Sequence, residues 1–335
     1  MADYDITLAC RNYDRTQAIL RGLVKVEGIK LKVLEMDSVP EMFSRFFRGE
    51  YDVSEFSLAE LVYYISRGND EFVGIPVFPS RMFRHGFIFC NASSDIQGPE
   101  SLHGKRIGFP RLAQTASIWI RGMLIGEYKN SPKAMHWYAA ALHHWDGGDD
   151  RGEIQPRDGS VIHWLERKGR NENEVAELAL REGRIDVIGT TQFPKVFSRS
   201  DKELKRLFPN YQEVEAAYFK KTGIFPIMHV LAARKAVVEQ HPDLPQKIFE
   251  LFSKAKRWAR EWIRTDPSLS LVWKNHYLDE EDKIFQKDPW AYGLKENAHA
   301  ISQFLSYCYD LGISKKASTP KDLFAPSTWE LAERP

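Results

Sequence analysis

The sequence predicts an α/β fold of two lobes with a ligand cleft between them, and three observations carry that expectation. Short β-like runs alternate with amphipathic segments of helical length through the first part of the chain, the pattern of βαβ units on a mainly parallel sheet. The 335 residues exceed what one hydrophobic core usually organises. A second strand and helix series begins near residue 98, and the chain turns predominantly helical again after residue 234.

Each element follows from local composition. Residues 5–10 (DITLAC) read as a strand, Asp14 to Val24 as a helix, 29–36 (IKLKVLEM) as a strand and Val39 to Arg48 as a helix. Residues 51–57 (YDVSEFS) form a third strand that leads into the helix 58–68, and 72–78 (FVGIPVF) a fourth. In the second series Lys105 to Phe109 is a strand, Gln114 to Tyr128 the helix behind it, and 134–141 (AMHWYAAA) another strand. The stretch 143–161, rich in Gly and Asp, has the composition of a hairpin or an exposed loop. Residues 172–185 pattern as a helix that delivers the chain into the strand 186–191. The apolar density of 221–234 (KTGIFPIMHVLAAR) predicts a buried strand, and Leu244 to Arg264 and Ala298 to Leu311 are strong amphipathic helices. Lobe one is therefore expected over residues 1–94, lobe two over 95–224, and a return to lobe one with C-terminal helices over 225–335. Two crossings make a hinge.

Composition narrows the function. The formal net charge is +1 with Lys and Arg scattered, so the electrostatic footprint of a nucleic-acid binder is missing. No apolar run reaches the ~20 residues of a membrane-spanning helix. The opening MADYDITLAC has acidic residues where a secretory signal has basic ones, and Cys10, Cys90 and Cys308 fit no disulfide framework or metal spacing. A cytoplasmic setting with reduced thiols is expected.

Residues 78–87 (FPSRMFRHGF) pack Arg81, Arg84 and His85 among three Phe. Cations in so apolar a stretch are either salt-bridge partners whose stems lie on apolar surface, or a site for an anion. Arg11 follows the first strand directly, where ligands of such sheets bind, or is a structural ion pair. Glu55, with Ser54 and Ser57, ends the third strand, and Ser57 doubles as a helix N-cap candidate. His229 sits at the second crossing, and a lone His in an apolar strand also has a core reading.

The segment GPESLHGKRIGFPRLAQTASIWIRGML (98–124) resembles the opening of the second lobe in the periplasmic-binding-protein type II superfamily. More narrowly, YDVSEFSLAE, SRMFRHGFIF and TGIFPIMHV resemble the 4,5-dihydroxyphthalate decarboxylases, which have that fold, and the likeness runs from about residue 4 to about residue 325. The Asp/Gly-rich loop at 143–155 is not matched. The resemblance implies a cytoplasmic carboxy-lyase of aromatic degradation, in phthalate catabolism, that converts 4,5-dihydroxyphthalate to protocatechuate and carbon dioxide. No electron-sink cofactor is required, because a hydroxyl para to the departing carboxylate can push electron density onto the carbon that is protonated.

Such chemistry needs a bidentate cation for the retained carboxylate, a proton donor near the ring carbon and an acceptor at the para hydroxyl. Arg81 and Arg84, joined by Arg11, are the candidate carboxylate clamps. His229 and His85 are the candidate donors, with His229 preferred because arginines beside His85 would keep it neutral. Glu55 is placed as the hydroxyl acceptor, or pressed against the departing carboxylate, or as a counter-ion for Arg81 or Arg11. In lobe two, Thr115, Ala116 and Ser117 open a helix whose backbone donors suit an anion, and Thr190 and Thr191 end a strand beside it. The His and Asp residues His136, His143, His144, Asp146, Asp149 and Asp150 fit no zinc spacing, so no metal is expected. Trp119, Trp137, Trp145 and Trp164 read as core more readily than as a stacking surface. The partner expected is a small aromatic dicarboxylate, with no nucleic acid and no membrane, and a homo-oligomer stays open. The rival reading is a non-catalytic cytoplasmic solute-binding or sensory protein for an aromatic carboxylate, or an enzyme of another pathway on the same fold.

Overall fold

The computed structural model describes residues 3–143, 150–196 and 203–333, with 150 and 151 described by their backbone alone. His144, Trp145, Asp146 and Asp149 lie outside the described residues. In chain order the first elements are β1 (Tyr4–Cys10), α1 (Asp14–Leu20), β2 (Ile29–Glu35), α2 (Val39–Phe47), β3 (Val53–Ser57), α3 (Leu58–Ser66) and β4 (Phe72–Arg81). Next come β5 (Ile88–Asn91), β6 (Arg106–Arg111), α4 (Thr115–Gly126), β7 (His136–Ala141), β8 (Ile162–Trp164), α5 (Glu172–Arg181), β9 (Val187–Gly189), β10 (Leu204–Arg206) and α6 (Tyr211–Thr222). The chain closes with β11 (Ile227–Arg234), α7 (Lys235–Gln240), α8 (Leu244–Thr265), α9 (Lys274–Phe285) and α10 (Leu294–Asp310).

Local chemistry sets several boundaries. Ser38 caps α2 by accepting from the Glu41 amide at 3.3 Å, and Ser57 caps α3 by accepting from Glu60 at 3.4 Å. The expected strand over 221–234 starts late: α6 runs through Thr222 and stops where Gly223 takes a left-handed φ of +67°, so β11 begins only at Ile227. In α8, Ile248, Phe249, Leu251, Phe252 and Ala255 are buried at helical spacing.

The chain divides into two units. Unit 1 comprises Met1–Arg81, Ile227–Ser302 and Thr319–Pro335; unit 2 comprises Met82–Pro226 and Gln303–Ser318. The first crossing thus falls at Arg81/Met82 instead of 94/95, because β5 pairs antiparallel with β9 and β10 and is a strand of the second sheet. Residues 303–318 also belong to unit 2, where Phe304 and Tyr307 pack against Trp119 at ring-centroid distances of 5.3 and 5.8 Å.

Unit 1 is built on a five-stranded sheet of order β2-β1-β3-β11-β4. β1 runs parallel to β2 and β3, whereas β11 inserts antiparallel between β3 and β4. Its core includes Leu8, Val53, Phe56, Val230, Leu231 and Phe252. Unit 2 carries a six-stranded sheet of order β10-β5-β9-β6-β7-β8 with β6, β7, β8 and β9 parallel. Ile107, Phe109, Trp119, Trp137 and Ile188 are buried there. Among the described residues no helix is long and apolar enough to cross a membrane.

Candidate active site

The site grows from the register of two strands. In the antiparallel ladder His229 on β11 stands opposite Ser57, and Leu231 stands opposite Glu55. Residues two apart on a strand share a face, so His229 and Glu55 are diagonal neighbours on one side of the sheet. Their side chains meet: the His229 Nδ1 lies 2.5 Å from Oε1 of Glu55. Glu55 is wholly buried while the His229 side chain retains 18% exposure, so the imidazole is the member of the pair that solvent and solutes reach. Phe43 of α2 meets the imidazole edge-on at 5.2 Å.

The turn after β1 supplies the other partners of this carboxylate. Tyr13 donates its hydroxyl to Oε1 at 2.7 Å, and the Arg11 amide donates to Oε2 at 3.2 Å. Thr16 shapes the turn by accepting from the Tyr13 amide at 2.8 Å and donating to the Arg11 carbonyl at 2.6 Å. Burial alone would push the Glu55 carboxyl up, but the bonds from His229, Tyr13 and the Arg11 amide outweigh it and hold the group below the usual carboxylate range. An ionised carboxylate only accepts, so Nδ1 of His229 is the donor of this bond. Burial, then the charge of Glu55, pushes the Tyr13 hydroxyl up.

Arg11 is half-buried beside this group, its guanidinium carbon 5.8 Å from the centre of the Tyr13 ring. Among the described residues that guanidinium has no ion-pair partner. Arg15, by contrast, is fully committed: Nε donates to the Pro79 carbonyl at 2.6 Å, Nη1 pairs with Asp14 at 2.8 Å, and the plane lies between the rings of Tyr13 and Trp290 at 4.3 and 4.1 Å. Tyr13 and Arg15 escaped the sequence reading. The signal that points to them is proximity to Arg11 at the same strand exit.

The other anticipated residues are distributed differently. Arg81 belongs to unit 1, and Arg84 and His85 belong to unit 2. Arg81 is buried and donates Nη2 to the Ala291 carbonyl at 2.8 Å and to the side chain of Asn297, which ties β4 to α10. Arg84 is equally buried, and burial lowers both guanidinium groups from the ordinary arginine value. His85 sits in an aromatic box of Phe208, Tyr218 and Tyr128 at 5.2, 5.3 and 6.1 Å, with Glu215 at 3.8 Å from Nδ1. It is held neutral as expected, but by burial, which takes it to about 4, and not by arginines. Among the described residues Glu55 pairs with neither Arg81 nor Arg11, and three donors enclose its carboxylate.

Ser54 is fully buried with its hydroxyl on the Glu55 carbonyl at 2.8 Å, and Ser57 is the α3 cap. In unit 2, Thr115, Ala116 and Ser117 open α4 after β6, and Thr190 and Thr191 follow β9, the parallel neighbour of β6. The Ser117 hydroxyl turns to Gln114 at 3.3 Å and that of Thr190 to the Gln192 carbonyl at 2.5 Å. Among the described residues no three His, Cys, Asp or Glu side chains gather closely enough to hold a metal ion.

Comparison with known proteins bears on both fold and chemistry. No family model matches the sequence. The chain is 31% identical over 333 residues to a 4,5-dihydroxyphthalate decarboxylase of Comamonas testosteroni, covering 98% of this chain and 99% of that protein. It is 25% identical over 227 residues to a 4,5-dihydroxyphthalate decarboxylase of Pseudomonas putida, covering 66% and 83% respectively. Among solved structures it is similar to the periplasmic aliphatic sulphonate binding protein SsuA of Escherichia coli, with a TM-score of 0.55, 12% identity, and coverage of 98% of this chain and 100% of that one. At that identity the likeness speaks for the fold alone, which is that of the periplasmic binding proteins.

Proposed function

The chain belongs to the 4,5-dihydroxyphthalate decarboxylase family and is a carboxy-lyase, and from that premise we propose that it acts on 4,5-dihydroxyphthalate, releasing carbon dioxide and protocatechuate. Reaction begins from the substrate with its para hydroxyl ionised. That oxygen feeds an electron pair through the ring to the carbon bearing the departing carboxylate. His229, as imidazolium, gives its Nε2 proton to this carbon, and the ring loses aromaticity. The bond to the carboxylate then breaks, its electron pair returns to the ring, and carbon dioxide leaves. The imidazole regains its proton from solvent, so one proton is consumed for each carbon dioxide released.

The observation that carries this reading is the pairing of a partly exposed imidazole with a buried, ionised carboxylate, beside an arginine without an ion-pair partner among the described residues. Glu55 orients the ring and fixes its tautomer, a role typical of a buried carboxylate behind a catalytic histidine. Arg11, in place of Arg81 and Arg84, grips the retained carboxylate through its planar fork. The three cysteines are buried and unpaired, which supports a reducing, cytoplasmic setting for the reaction.

Purified protein mixed with 4,5-dihydroxyphthalate and followed in the ultraviolet tests the assignment. Conversion to the protocatechuate spectrum is expected, whereas tight binding with an unchanged spectrum would identify a solute-binding protein. Replacement His229→Asn should abolish turnover and spare affinity; a fully active variant removes His229 from the donor role.

A further inference from the structure

We infer that Tyr13 is a positioning residue for this reaction, acting through Glu55 to commit the exchangeable proton of His229 to Nε2. The inference rests on His229 being the proton donor, and it adds a third member to the pair. Among the described residues, Oε1 of Glu55 accepts two bonds, from Tyr13 at 2.7 Å and from His229 Nδ1 at 2.5 Å, while Oε2 accepts only the Arg11 amide. The carboxylate has no exposure, so water cannot stand in for a donor that is removed.

Without the Tyr13 hydroxyl, Oε1 would rest on Nδ1 alone. The ionised form of Glu55 would lose a charge-assisted bond, and the shared proton would move from Nδ1 toward the carboxyl. A ring that has given up its Nδ1 proton keeps the remaining one at Nε2 as a neutral imidazole, a far weaker acid than the imidazolium the chemistry uses. Tyr13 prevents this by keeping Glu55 an acceptor.

The ring of Tyr13 is built to stay in place. Arg15 covers it at 4.3 Å and is itself fixed by Pro79, Asp14 and Trp290. The hydroxyl is raised by burial and by Glu55, so it remains a donor across the working pH range. Among the described residues, Cys10 on β1, Tyr13 and the Arg11 amide in the following turn and His229 on β11 interact with Glu55, and the guanidinium groups of Arg11 and Arg15 act on Tyr13. Of these only Tyr13, His229 and the Arg11 amide bond to it.

The test is Tyr13→Phe in the full-length protein, which keeps the ring under Arg15 and deletes one oxygen. Two readouts are taken. Nitrogen NMR of the His229 ring should show Nδ1 protonated in the unaltered protein and losing its proton toward Glu55 in the variant, while Nε2 keeps its own. With 4,5-dihydroxyphthalate, kcat should fall roughly 10- to 100-fold at little change in KM, the loss of one bond to a charged group. The acid limb of the kcat profile should move up by about one pH unit. A variant with the normal tautomer and an unmoved profile overturns the inference, even if it melts earlier, because Tyr13 would then be only a packing residue. If the unaltered protein fails to turn the substrate over, the family-based assignment fails by itself, and the NMR readout alone judges the Tyr13–Glu55–His229 array.

Discussion

Glu55→Gln tests the site through stability, without reference to any substrate. The carboxylate now accepts three donors, two on Oε1 and one on Oε2, with no water available to replace them. A glutamine has one acceptor oxygen. Its better placement keeps that oxygen beneath Tyr13 and His229 and turns the NH2 toward the Arg11 amide, donor against donor. One orphaned buried donor costs about 1–3 kcal/mol, and the two retained bonds weaken because they lose a charged partner. Relief from burying a charge offsets part of this, leaving a loss of about 2–3 kcal/mol near neutrality. The pH dependence has a definite sign. Folding lowers the Glu55 pKa, so its contribution is complete above the unfolded value of about 4.3 and disappears as pH falls through the folded value. The gap between the two proteins should therefore be widest from neutral pH down to about 5 and should narrow on further acidification. Urea unfolding at a series of pH values, compared at constant m, measures it. A glutamine variant as stable as the original at pH 7, or a gap that widens in acid, would refute the claim that Glu55 is held ionised by these donors.

Two arginine replacements separate substrate contact from scaffold. Arg11→Leu should raise KM roughly 10- to 100-fold, since a charge-assisted pair with a carboxylate contributes about 1.5–3 kcal/mol, and should shift stability by less than about 0.5 kcal/mol; steady-state kinetics and a thermal melt check both. Arg81→Leu should do the reverse. It deprives the Ala291 carbonyl and the Asn297 side chain of a buried donor, so denaturant titration should show a loss of about 2–4 kcal/mol, while the folded fraction keeps a nearly normal KM.

The elements with a strong period were legible from composition alone. β1, α2, β3, α4 and α8 follow the alternation of apolar residues closely, because each buries one face or both against a sheet. β5, β8 and β10 were not: strands of three or four residues rarely express a period of their own, and β9, as short, was legible from the amphipathic helix that leads into it. The same limit governs the site. Arg11, Glu55 and His229 could be nominated by residue type and by position at strand ends. Their assembly could not, since Glu55 and His229 are 174 residues apart and meet only because β11 enters the sheet antiparallel, where βαβ patterning had predicted mainly parallel neighbours. Arg81, Arg84 and His85 are near neighbours in the chain, yet the first belongs to unit 1 and the other two to unit 2, a division that proximity in sequence does not reveal.

Glu55 also stands out on stability grounds alone. All five residues of β3 are buried, and in such a strand a valine or phenylalanine would avoid the desolvation of a charge. A local choice that opposes the surrounding core is where function is to be sought. Burial of charge is not sufficient, however. Arg121 of α4 is also buried and pairs with Asp158 and, at 2.6 Å, with Ser160, but that network faces inward and holds residues 158–160 against a helix. The Glu55 pair differs in its asymmetry: the acid is sealed, and its partner His229 is partly exposed with only Nδ1 engaged among the described residues. A sealed acid that fixes one nitrogen of an accessible imidazole is the arrangement that the proposed proton donation by His229 requires. Scaffolding requires no such asymmetry, and proton transfer does.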